Sequence, residues 1–200
     1  MFDTVELQPL LKDFFKGSMG EMNFCCPARV EGDQSVSNGR IDVRPLQMPT
    51  YKDTSTQVMP VIRNVQYITP CTSSSGITFI PQQGDTVLLL FSQCSLDEFK
   101  LGSTEPYSPN LSRMLNLNDA VAIVGFTPFN YNPVNTDLHN KDYNVGDVSL
   151  FNNLGDGKEN KINVKKDGTN RYIASSHNID GDVNIKGNLY VSGDATVDGD

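Results

Sequence analysis

Apolar positions along this chain follow three successive rhythms. Over residues 5–16 (VELQPLLKDFFK), Leu7, Leu10, Leu11, Phe14 and Phe15 recur at steps of three and four. That spacing lines them up on one stripe of an amphipathic helix, which Gly17 would end. The stripe lies either on the chain's own domain or in the groove of a partner. From Phe24 the period falls to two. FCCPARVEGD and SVSNGRIDVRPLQ, turning at Asn38-Gly39, predict a hairpin with Ile41 and Val43 facing a core. VMPVIRNVQY (58–67) is a third extended segment, and Pro60 argues against a central place for it in a sheet.

GITFIP, a turn at Gln83-Gly84-Asp85, VLLLF (87–91) and AVAIV (120–124) follow. Five or six short strands with little helix over residues 24–126 predict a small Greek-key barrel such as the five-stranded OB-fold. The rhythm then lapses. Residues 127–147 (TPFNYNPVNTDLHNKDYNVGD) have no apolar period, and sixteen of the nineteen Asn fall between 110 and 188, so an extended linker is expected here. Residues 161–174 read as a short hairpin around Lys166-Asp167-Gly168.

The third rhythm has a period of six. Written in hexads, the C-terminal stretch is GDVNIK, GNLYVS, GDATVD, with a further Gly-Asp, so that Gly181, Gly187, Gly193 and Gly199 open successive units. Apolar pairs follow at Val183/Ile185, Leu189/Val191 and Ala195/Val197. Each unit reads as a turn that suits glycine and a short strand with one buried face, and such units gain stability only by stacking. Three hexads make about one coil of a single-chain β-helix, too little for a core. Three copies wound about a common axis would bury all three pairs, which predicts a homotrimeric intertwined β-helix. A frayed acidic tail, or a meander packed on the barrel, is the competing reading.

Charge and reactive residues narrow the function. The formal net charge is −8, and it is shared by both halves of the chain, so no basic field is available for phosphates. With no Trp and only scattered Phe, a nucleic-acid partner is excluded. The longest apolar run, Val87 to Phe91, cannot cross a bilayer, and Asp3 and Glu6 stand where a signal peptide carries bases, so folding in a cytoplasm is expected. Cys25, Cys26, Cys71 and Cys94 form no CxxC pair, and His139 and His177 belong to no arrangement that looks like a nucleophile and its base. Neither catalysis, nor a metal, nor a cofactor, nor a small-molecule substrate is expected. A hexapeptide-repeat acyltransferase would need many more hexads, with a His inside them.

Taken in order, CCPARVEGD, GRIDVRPL, IRNVQYITP, GITFIPQQGDTVLLLFSQCSLDEF and LNLNDAVAIVGFTP resemble the N-terminal OB-fold domain of the central spike proteins of contractile-tailed bacteriophage baseplates. The hexads resemble the start of the trimeric β-helix that forms the shaft of those spikes. The resemblance covers about residues 20–128 and 147–200 and leaves 1–19 aside. It implies that Pro27-Ala28 and Val43 to Pro45 lie in the first two barrel strands. Gly84-Asp85 with Val87 to Phe91 would supply the tight turn and inner strand, and Asn118-Asp119-Ala120 the approach to the closing strand. Phe99 stands where the family often has Trp. No inserted lysozyme domain fits between residues 128 and 160, and no His-x-His pair for an iron-binding apex is present.

The expected organisation is an all-β chain. It comprises an N-terminal helix (1–19), an OB-fold domain (20–128), an Asn-rich linker (129–160) and the start of a trimeric shaft (161–200). The resemblance implies a virion protein of the tail baseplate, assembled in the host cytoplasm. As a homotrimer it would attach to a hub protein through its OB domains, with Leu7, Leu10, Leu11, Phe14 and Phe15 as a candidate hub contact, and would puncture the host envelope. Either the chain is a fragment of a longer spike, or a separate small protein would cap the shaft's end. A spike of a tailocin or type VI secretion machine shares both parts, and a generic OB-fold binding module shares only the barrel.

Overall fold

In β1 (Cys25–Glu31) Ala28 and Val30 are buried while Arg29 between them faces solvent, and four further strands line the same core, with alternate residues buried in all but the third of the five, where Ile62 and Val65 lie three apart. These are β2 (Arg40–Pro45), β3 (Ile62–Ile68), β4 (Thr86–Phe91) and β5 (Ala120–Val124). The computed structural model describes residues 4–20, 22–32, 39–49, 56–109, 113–131, 146–154 and 159–196. Its chain divides into two units, Met1–Phe129 and Asn130–Asp200.

The first unit closes these strands into a barrel in the order β1-β2-β3-β5-β4, with β3 and β5 parallel and every other pair antiparallel. That is an OB-like strand order. Closure leaves no edge strand. The interior is filled by Ala28, Val30, Ile41, Val43, Ile62, Val65, Val87, Leu89, Phe91, Ala120 and Ala122. Three alanines beside larger branched residues let the walls approach without leaving voids, as a tapering small barrel requires. Leu89 is fully buried at the centre of β4. Leu89→Ala is expected to cost about 3 kcal/mol, the transfer and cavity terms together, read as a lower urea midpoint with an unchanged slope.

Two local devices shape the barrel. Gly84 adopts φ +96° in the turn before β4, where its amide donates to the Val30 carbonyl at 3.0 Å and the Val30 amide donates to the Asp85 carbonyl at 2.8 Å. The turn is thereby sewn to β1. Between β2 and β3 the register shifts between Ile41 and Val43, and Asn64 takes a left-handed φ of 56° while its amide donates to Asp42 Oδ1 at 2.9 Å. This bulge bends β3 to follow the curved wall.

Three expectations are corrected here. β3 is a central strand, paired with both β2 and β5, because it begins at Ile62 and leaves Pro60 outside the ladder. GITFIP (76–81) forms no strand: apart from a bridge between Cys71 and Gly76 it runs unpaired, since the closed barrel has no edge for it to join. The Asn-rich segment 129–160 is not all linker, for it contains β6 (Val148–Asn152). The Asn38 side of the first predicted turn lies outside the described residues, although Gly39 has the left-handed φ of 74° such a turn uses.

In the second unit β6 pairs antiparallel with β7 (Asn160–Val164), which pairs antiparallel with β8 (Asn170–Ile173). The β7–β8 turn is closed by the Lys165 amide donating to the Thr169 carbonyl at 2.9 Å, with Gly168 at φ 85°. Asp167 Oδ1 accepts from the Thr169 amide and hydroxyl, which hold its carboxyl below the ordinary range. From Ala174 to Thr196 no strand is formed within the single chain.

Candidate functional site

Four surfaces account for the residues singled out above. The first is the helix α1 (Thr4–Gly20), which contains Pro9. Leu7, Leu10, Leu11, Phe14 and Phe15 are all exposed, the two rings meeting edge to face at 6.1 Å. Helix pairing at steps of three and four brought them together on one stripe, and that stripe is open to solvent.

The second is the long connection from β4 to β5, which is organised by one arginine. Arg113 donates through Nε to Asp119 Oδ2 at 2.7 Å and through Nη2 to Asp119 Oδ1 at 2.8 Å, the paired geometry that guanidinium and carboxylate favour. The same Nη2 reaches Asp97 Oδ1 at 2.6 Å and Ser95 Oγ at 3.0 Å, and Asp119 Oδ1 also accepts from the Leu96 amide at 2.9 Å. Asp119 is fully buried. Burial alone would raise its carboxyl pKa, but the bonds from Arg113 and Leu96 outweigh that and hold it below the ordinary value. At the surface Asp97 is likewise lowered, first by its bond to Arg113 and then by Ser95. Both Asp119 oxygens are engaged in pinning the loop that feeds β5, which makes this cluster a scaffold. Asp119 stood out in the sequence through the Asn118-Asp119-Ala120 resemblance. Arg113 did not, because a loop residue has no period to betray it.

The third surface is the sheet β6-β7-β8, and its burial pattern is inverted. In β7 the polar residues Lys161 and Asn163 are buried, whereas Ile162 and Val164 are exposed. Register places Leu150 opposite Ile162 and Ile162 opposite Tyr172, and Val148 opposite Val164, so these five side chains occupy one face. Their exposures are 65% for Val148, 48% for Leu150, 41% for Ile162, 50% for Val164 and 58% for Tyr172. On the opposite face Lys161 pairs with Glu159 at 2.8 Å, and Ser149 bonds Asn163.

The fourth is the hexad segment. Gly181 and Gly187 adopt φ of 131° and 151°, a region that disfavours any side chain, whereas Gly193 does not share it. Val183, Ile185, Leu189, Val191 and Ala195 are all exposed. Val197 and Gly199 lie outside the described residues.

Among the described residues the reactive side chains form no shared site. Cys26 is half-buried beside Cys25, and burial first, then the neighbouring thiol, pushes its pKa up, away from a reactive thiolate. Cys71 Sγ lies 3.1 Å from Thr69 Oγ1. His177 packs edge to face on Tyr172 at 6.3 Å, and His139 lies outside the described residues. Among the described residues no group of three or more His, Cys, Asp or Glu could hold a metal ion, and no helix is long and apolar enough to cross a membrane.

No curated protein matches the chain. Residues 27–125, from within β1 to just past β5 and so nearly the whole barrel, match the family model described as the phage protein Gp138 N-terminal domain, and this similarity supports a phage structural protein associated with the virion.

Proposed function

We propose that the chain is the homotrimeric central spike of a contractile tail baseplate, carried on the hub by its barrels and driven through the host envelope by its shaft. The observation that carries this reading is the state of the hexads. Val183, Ile185, Leu189 and Val191 are each at least 50% exposed in the single chain. Apolar side chains that repeat every six residues and stay half or more exposed in the single chain would be covered by copies of the same chain about a shared axis. The similarity of the barrel to a phage domain supplies the context. Force would come from the contracting tail, and the spike would contribute stiffness through backbone bonds closed between chains.

The test is the mass of the purified chain in solution by light scattering. Three times the 22.0 kDa chain, about 66 kDa, is expected. A stable species of 22.0 kDa would overturn the spike and leave a barrel with some other binding role.

The exposed stripe of α1 is the proposed hub contact. Deleting residues 1–19 is expected to weaken binding to the isolated hub by at least about tenfold, roughly one well-packed aromatic anchor's contribution, without moving the thermal transition of the barrel. Unchanged hub affinity would remove α1 from that interface.

A further inference from the structure

We infer that the segment 77–80, between β3 and β4, is a strand held ready for the hub, adding through its backbone to an exposed strand edge of that protein. The inference rests on the hub attachment proposed above and names a segment and a mode of bonding for it.

Both ends of the segment are fixed. Before it, the loop 70–76 closes on itself: the Thr72 amide donates to the Ser75 carbonyl at 2.7 Å, the Ser75 amide donates to Thr72 Oγ1 at 3.2 Å, and the Ile77 amide donates to the Pro70 carbonyl at 3.1 Å. Gly76 crosses Cys71 so closely that a Cβ there would lie 2.2 Å from the Cys71 Cβ. After the segment, Pro81 is buried and the Gln82 amide donates to Asp85 Oδ2 at 2.7 Å, in the turn already sewn to β1. Between these anchors residues 77–80 run without turn or bend, and all four are exposed. A segment held this way loses little further freedom when it pairs.

The open backbone selects the occupant. In extended chain the amide and carbonyl of one residue point to the same side, and successive residues alternate. Ile77 bonds back to the 70–76 loop, so Thr78 and Ile80 turn their backbone groups away from it. Of the backbone groups of Thr78, Phe79 and Ile80, only the Ile80 carbonyl has a partner among the described residues, Gln82 Nε2 at 2.9 Å. Natural proteins guard such an edge with charge or proline. Here residues 64–84 carry no charged side chain, in a chain of which 20% is charged, and Pro81 comes only after the segment. An unguarded row of donors and acceptors, with Ile77, Phe79 and Ile80 each about half exposed beside it, is complementary to another strand. A second copy's barrel is closed and has no edge to offer. Two copies of the segment would pair about a two-fold axis, which three chains on one axis lack. The edge therefore belongs to the hub, the protein the barrels must grip.

Hydrogen exchange read residue by residue in the full-length chain, with and without the isolated hub of the same particle, tests this. Hub binding is expected to slow the amides of Thr78 and Ile80 at least about tenfold and to change that of Phe79, on the other side of the strand, much less. Thr78→Pro removes a donor and is expected to weaken hub binding at least about tenfold, whereas Thr78→Val keeps the donor and should bind as the wild type does. Thr78 is exposed, so neither variant should move the barrel's thermal transition. If Thr78→Pro does unfold the barrel, the exchange pattern of the wild type decides. Equal slowing at residues 78, 79 and 80 would mean burial under a surface that is not a strand, and would overturn the proposal. So would slow exchange at Thr78 and Ile80 before hub is added, which would mean that the chain or its copies, for instance through the open edges of β6 or β8, already cover the segment. Full hub affinity in a folded Thr78→Pro chain would overturn it and leave the spike standing. A monomeric wild type in which hub still slows Thr78 and Ile80 would overturn the spike and keep the strand addition. A wild type that does not bind hub would remove both the attachment and this segment's part in it.

Discussion

Val191→Asp is expected to convert a particle of about 66 kDa into free chains of 22.0 kDa while the barrel stays folded. Val191 is the second apolar residue of the hexad that begins at Gly187, and it is 51% exposed in the single chain. Around a three-fold axis the substitution sets three carboxylates against one another in a narrow apolar space. An ionised carboxylate taken from water without a partner costs far more than the roughly 1.5 to 3 kcal/mol that a buried Val returns, and the cost is incurred three times. The chains can escape it only by separating or by protonating. Dissociation is therefore expected at neutral pH, with partial reassembly in acid, where the neutral carboxylic acid is cheaper to bury. The barrel is a separate unit ending at Phe129, so its thermal transition should be unmoved, and Val191→Ile should keep the trimer. A Val191→Asp chain that remains trimeric at neutral pH would take Val191 off the axis.

The parts of this molecule that could be read in its sequence are those where one periodicity serves one core. Ile41 and Val43, or Val87, Leu89 and Phe91, alternate because a barrel has one inside, and all five are buried. A rule that applies only inside a ladder misleads where the sequence does not mark the ladder's first residue. Pro60 would have demoted β3 had it lain within the strand, but the first paired residue comes two positions later. GITFIP has a strand's composition and, beyond the bridge at Gly76, no strand to pair with, which only the closed topology reveals. β6 was hidden in an Asn-rich stretch because its VSLFN alternation is brief and its apolar residues are not buried in its own chain. Alternation locates a face and is silent about which face the chain itself covers. That is why Ile162 and Val164 were legible as a hairpin and their outward orientation was not. The Arg113 cluster was invisible for another reason, since its partners lie 6 to 18 residues away, two of them in single helical turns too short to carry a period, and meet only in three dimensions.

Asp119→Asn is expected to destabilise the barrel by about 3 kcal/mol at neutral pH, the cost of leaving a buried ionic cluster with one partner missing. The amide keeps the shape of the carboxylate and loses its charge. It presents an NH2 to Arg113 where the native residue accepts bonds at 2.7 Å and 2.8 Å, and it serves the Leu96 amide with a weaker, uncharged acceptor or none. For a domain of about 100 residues such a loss lowers the melting temperature by about 12 to 20 °C. The pH dependence separates this account from simple steric damage. Asp119's carboxyl is held below its ordinary value of 3.8 in the folded chain, so at equilibrium the unfolded chain takes up the proton first as pH falls. The stability due to this group is therefore fully present above pH 3.8 and is lost progressively as pH drops through the folded value. The gap between wild type and Asp119→Asn should accordingly be widest near neutrality and narrow below about pH 4. Chemical denaturation of both chains between pH 2.5 and pH 7 reads that gap directly. A gap that stayed constant across the range would mean that Asp119 acts through its shape, and that the charge on Arg113 does not hold the loop.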